Sequence, residues 1–93
     1  MIKTFADTHT YELYATGVSR RFPAHIHARS LRKLDYINLA VRLEDLRVPP
    51  GNRLHRLYHD RENQYAIWIN GQWRICFRFD DGDAYDVEIC DYH

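Results

Sequence analysis

The strongest constraint on this chain is a change of hydrophobic period that happens once. Leu31, Leu34, Ile37 and Val41 fall near helical spacing. Pro49-Pro50-Gly51 then ends any helix and marks a surface loop. Beyond it the period drops to two, in four runs: RLHRLYH, QYAIWI, QWRICFRF and AYDVEICDY. Asp60–Asn63, Asn70-Gly71 and Asp80–Gly82 separate them. Connections this short join antiparallel neighbours, so the C-terminal half predicts a β-meander. Asn70-Gly71 predicts a two-residue type I′ hairpin.

The last hairpin has two readings. A three-residue loop, Asp80-Asp81-Gly82 with Gly82 left-handed, pairs Phe79 with Asp83. Trp73, Ile75 and Phe77 then share an apolar face with Tyr85, Val87 and Ile89, and Arg74 opposes Glu88. A two-residue loop at Asp81-Gly82 reverses the parity of one strand and brings Arg74 onto the face of Ile89, Asp91 and His93. The first makes the better core and the second the better phosphate site.

The N-terminal half supplies the other layer. IKTF reads as an opening strand. Asp7 or Thr8 caps a helix that Gly17 stops, and a longer helix carrying Pro23 in its first turn runs to about Ala40. The 93 residues form one domain, 1–93. It is an α+β fold with an N-terminal strand and two helices on one face of the meander. Trp68, Trp73, Phe77, Phe79 and Tyr85, at strand spacing, read as core.

A net charge of +0 hides an asymmetry. Residues 18–34 carry Arg20, Arg21, Arg29, Arg32 and Lys33 with no acid, and residues 80–91 carry six acids with no base. The basic run reads as a solvated face complementary to the acidic tail; a polyanion site is the alternative. No apolar run reaches the ~20 residues of a membrane span. The first residues lack the apolar stretch of a secretory signal, which points to the cytoplasm. Cys76 and Cys90 read as reduced thiols. The histidine pairs His25/His27 and His55/His59 have spacings that make no compact zinc site, so no metal is expected.

Several pieces together resemble the HigB-type toxins of the RelE/ParE superfamily. They are Leu54-His55-x-Leu57, Asp60-Arg61, Gln72-Trp73-Arg74-Ile75-x-Phe77, Gly82-Asp83-Ala84-Tyr85 and the closing Asp91-Tyr92-His93. MIKTF, ELYATG and PAHIHARSLRKLDYINLA fit the N-terminal half of that family, so the likeness spans the chain. It implies a RelE-like fold and the toxin of a type II toxin–antitoxin pair. Such toxins enter the ribosomal A site and cut mRNA without metal or organic cofactor. The ribose 2′-OH attacks the adjacent phosphate and expels the 5′-oxygen. The implied partners are the ribosome, mRNA, a HigA-type helix-turn-helix antitoxin and, through it, promoter DNA. No membrane is involved.

That chemistry needs a base, an acid and a cation at the phosphorane. The resemblance places His55, Asp91 and His93 in the acid–base set, with Tyr92 stacking on a base or donating to the phosphate. Arg74 stabilises transition-state charge or pairs with Glu88. Arg61 supports the RNA backbone or is a solvated turn residue. After Leu57 many HigB-like chains read Lys-Gly-Asp-Arg, where this one has Tyr58-His59-Asp60-Arg61. Tyr58 can donate to a phosphate but carries no charge, and His59 is cationic only when protonated. A weakened enzyme, or a non-enzymatic toxin that acts on a gyrase-type target or as a co-repressor, is the competing expectation.

Overall fold

The structure, a computed structural model, describes residues 1–92. Helices α1 (Thr8–Thr16) and α2 (His27–Leu39) precede strands β1 (His55–Arg56), β2 (Tyr65–Trp68), β3 (Trp73–Asp80) and β4 (Asp83–Asp91). The sheet is antiparallel throughout, in the order β1-β2-β3-β4.

Each helix begins and ends for local reasons. Asp7 caps α1, its carboxylate accepting from the Thr10 amide at 2.7 Å and the Thr10 hydroxyl at 2.9 Å. Gly17, at φ 85°, closes the helix by donating to the Leu13 carbonyl. Pro23 leads into a 3₁₀ turn, Ala24–Ile26, so α2 starts four residues after the proline. Leu13, Leu34 and Ile37 bury themselves against Ile67, Ile75, Phe77, Val87 and Ile89 of the sheet. Both helices therefore cover one sheet face, as expected from the sequence. A smaller cluster, Leu57, Ala66, Cys76 and Cys90, lies apart from that core.

The open edge of β4 is covered by the N-terminal segment. Ile2 and Phe5 make two isolated parallel bridges to Ala84 and Val87, less than the full strand expected for IKTF. The Thr4 hydroxyl accepts from the Asp86 amide, and the buried Thr10 hydroxyl accepts from the Ile89 amide at 3.0 Å. Side-chain acceptors thus satisfy edge donors that a ladder would otherwise have to pair.

The first hairpin departs from the expectation, and the last takes the shorter of its two expected loops. At Asn70-Gly71 neither residue has positive φ, so the turn is not type I′. The Asn70 side chain instead accepts from the amides of Gln72 and Trp73, both at 2.8 Å, which stabilises a longer loop. At the last hairpin Asp80 pairs with Asp83, and Asp81 and Gly82 are both left-handed: the two-residue turn. A Cβ on Gly82 would also come within 3.3 Å of the Val41 carbonyl oxygen.

Neither proposed register then runs the length of the strands. A β-bulge between Cys76 and Arg78, with Asp86 at φ 53°, shifts the pairing by one. Arg78 faces Tyr85 before the bulge; Ile75 faces Ile89 and Arg74 faces Cys90 beyond it. Tyr85 consequently leaves the core face and lies beside the Arg78 guanidinium, 5.5 Å from its ring centre. The core keeps Val87 and Ile89.

Candidate active site

His55 opens β1 and is half-buried. Its Nδ1 lies 2.8 Å from the Arg53 carbonyl oxygen. A carbonyl can only accept, so Nδ1 carries the hydrogen and Nε2 of the neutral ring keeps the lone pair. Arg53 adopts a left-handed conformation (φ 49°), and its guanidinium sits 3.7 Å above the centre of the Trp68 ring. An open groove of about 410 Å³ follows, lined by Arg53, His55, Trp68, Gly71 and Tyr92.

The bulge determines which side chains meet there. Arg74 projects to the face of Cys90 and Tyr92, and its guanidinium lies 4.5 Å from the Tyr92 ring centre. Its half-buried side chain leaves Nε without a hydrogen-bond partner among the described residues. The expected Arg74–Glu88 pair does not form. Glu88 instead pairs with Arg61 at 2.9 Å, and Arg61 also donates to Gln64. Arg61 is therefore engaged inside the fold, and Arg74, against Tyr92, is a second cation beside the groove that Arg53 lines.

Asp91 ends β4 opposite Trp73, where Gln72 Nε2 donates to its carboxylate at 3.1 Å. The Tyr92 amide donates to the Gln72 carbonyl at 2.6 Å, anchoring that end of the chain. His93 lies outside the described residues. Tyr58 is exposed and His59 opens a short 3₁₀ turn with φ 63°; neither lines the groove. The structure thus gathers His55, Tyr92 and Arg74, holds Asp91 at the adjoining strand end, and leaves Tyr58, His59 and Arg61 outside.

Sequence reasoning missed Arg53, and it placed Trp68 in the core. One signal was available: Arg53 precedes His55 by two residues, the strand period. For Trp68 the signal pointed the wrong way, because its cover is a cation from a loop. Cys76 and Cys90 are free and buried, which suits packing rather than nucleophilic attack. A hydrogen bond with the Cys76 sulfur, and then burial, push the Cys90 thiol up, which keeps it protonated.

Residues 3–93 match the family described as the RelE-like toxin of the type II toxin–antitoxin system HigB. The chain belongs to the HigB-like toxins. This toxin is 36% identical to the Endoribonuclease HigB of Proteus vulgaris over 93 residues, all of both chains. It is 37% identical over 70 residues to Toxin HigB-1 of Vibrio cholerae, which covers 75% of this chain and 74% of the relative. The YoeB-YefM complex from Staphylococcus aureus contains a chain of the same fold. The TM-score is 0.62 at 15% sequence identity, over 100% of this chain and 98% of that one. The RelE-like α+β architecture expected from the sequence is the one found.

Proposed function

We propose that this toxin is an endoribonuclease that cuts mRNA in the ribosomal A site, and that a helix-turn-helix antitoxin neutralises it. The reading rests on one observation above all: His55 Nδ1 donates to the Arg53 carbonyl, which leaves a basic Nε2 on a residue lining the groove. The name of the Proteus vulgaris relative supports the RNase activity.

The reaction follows from the groove's chemistry. His55 Nε2 takes the ribose 2′-OH proton as that oxygen bonds to phosphorus. Arg74, whose guanidinium lies against the ring of the groove-lining Tyr92, neutralises the added charge on the non-bridging oxygens. Tyr92 presents its ring to the groove and its hydroxyl to the phosphate. The P–O5′ bond breaks, and the leaving oxygen takes a proton from Asp91 or His93. The products are a 2′,3′-cyclic phosphate and a 5′-hydroxyl. The ribosome supplies the alignment of 2′-OH, phosphorus and leaving oxygen that a groove this open does not impose.

Purified toxin, wild type or His55→Gln, is added to mRNA with and without ribosomes, and new 5′ ends are mapped. Wild type is expected to cut only with ribosomes, and His55→Gln to cut ~10²–10⁴-fold more slowly, the range for a lost general base. Equal cleavage by the variant would remove His55 from the chemistry, and cutting of naked mRNA would remove the ribosome from the mechanism.

A further inference from the structure

The acid-free basic run does not meet the acidic tail: no ion pair joins the two among the described residues. Arg29, Arg32 and Lys33 of α2 instead line a second groove, of about 330 Å³, together with Tyr36, Arg53 and Trp68. Arg53 and Trp68 line the candidate active site as well, so the two grooves share one wall.

Lys33 is only 9% exposed, yet no carboxylate pairs with it among the described residues. It donates to the buried Asn52 side chain, which in turn holds the Leu46 and Val48 carbonyls. Burial, then Arg29 and Arg32, push its pKa below the usual lysine range. A neutral donor would serve Asn52 without that penalty. Arg29 donates to the Ile69 carbonyl at 3.1 Å, and Arg29, Arg32 and Arg53 are all exposed. Three arginines around one buried ammonium repel it and one another until an anion arrives.

We infer that this second groove is a backbone-phosphate subsite for the RNA strand that passes through the active site, with Arg29, Arg32, Lys33 and Arg53 as its cations. The inference rests on the proposed RNase reading and extends it to the flanking nucleotides. A nucleic acid suits the shared wall better than an acidic protein segment does. Trp68 and Tyr92 offer aromatic surface to bases beside the cations that take phosphates, whereas a peptide carboxylate uses only the cations.

The test uses the full chain and a labelled 2′-O-methyl octanucleotide, which lacks the attacking hydroxyl and cannot be cut. Its binding is followed by fluorescence anisotropy from 0.05 to 0.3 M salt (roughly the range in which phosphate contacts are read). Arg29→Gln/Arg32→Gln is expected to weaken binding on the order of tenfold and to lower the salt slope by about 1.4, at ~0.7 per phosphate contact for a single strand. Arg20→Gln/Arg21→Gln removes the same charge from a different cleft and is expected to bind like wild type. Equal weakening by both double variants, or none by the first, overturns the subsite. So does competition by a Glu-rich octapeptide as strong as that by unlabelled RNA. The binding assay needs no turnover, so a failure of mRNA cleavage would remove the RNase reading while leaving the anisotropy result interpretable.

Discussion

At position 58 a tyrosine stands where many HigB-like chains carry lysine. Its ring is exposed and brings no charge to the phosphate. Beside Arg53, which lines the candidate groove, Arg74 is then a second permanent cation, held against Tyr92, while Glu88 pairs with Arg61. Two outcomes follow at this scale. Arg74→Gln should slow ribosome-dependent cleavage by ~10²–10³-fold, the cost of losing one transition-state donor. Tyr58→Lys should leave the rate within about twofold, because position 58 lies outside the groove and a charge on that exposed side chain is screened by solvent. Single-turnover cleavage of programmed ribosomes measures both. A clear rise for Tyr58→Lys would mean that position 58 approaches the phosphate in the substrate complex.

The β3–β4 hairpin is the element on which the site depends. Its two-residue turn alone would set Arg74 opposite Ile89, on the face of Asp91. The bulge at Asp86 moves it opposite Cys90, on the face of Tyr92. Asp86 holds its left-handed backbone with help from both sides. Arg78 Nε donates to its carboxylate at 2.8 Å, and its amide donates to Thr4. A β-branched residue tolerates that conformation poorly, so Asp86→Val should lose ~1–2 kcal/mol from the backbone alone. Asp86→Gly should lose less, since glycine enters that region freely. Urea unfolding of the two variants gives the comparison; a valine variant as stable as the glycine variant would mean the bulge can move to another residue.

For the molecule as a whole, the weak point is the outer edge of β4. Its amides are satisfied by Met1–Thr4 carbonyls, the Thr4 hydroxyl and the Thr10 hydroxyl rather than by another strand. Removing residues 1–5 should open that edge, lower the thermal midpoint and allow two copies to associate through it. Sedimentation velocity would detect the association, and a monomer with an unshifted midpoint would show that α1 protects the edge unaided.

The order of the two helices and four strands, a cap at Asp7 or Thr8, the stop at Gly17, the antiparallel meander and the face on which the helices sit follow from the residues alone. These depend on hydrophobic period and local backbone preference, which act over a few residues and are written directly in the chain. His55 and Arg74 are also candidates from the sequence alone, through the resemblance to a toxin family. Only the tertiary structure decided which partners they have. A bulge shifts register by one residue, and one residue changes the face of everything beyond it, so Arg74 meets Tyr92 instead of Glu88. The same holds for Arg53 and Trp68, which belong to a loop and a strand and become one wall of two grooves only when the chain is folded. Contacts between segments far apart in sequence carry no period, and that is why the groove could not be read from the residues in a row.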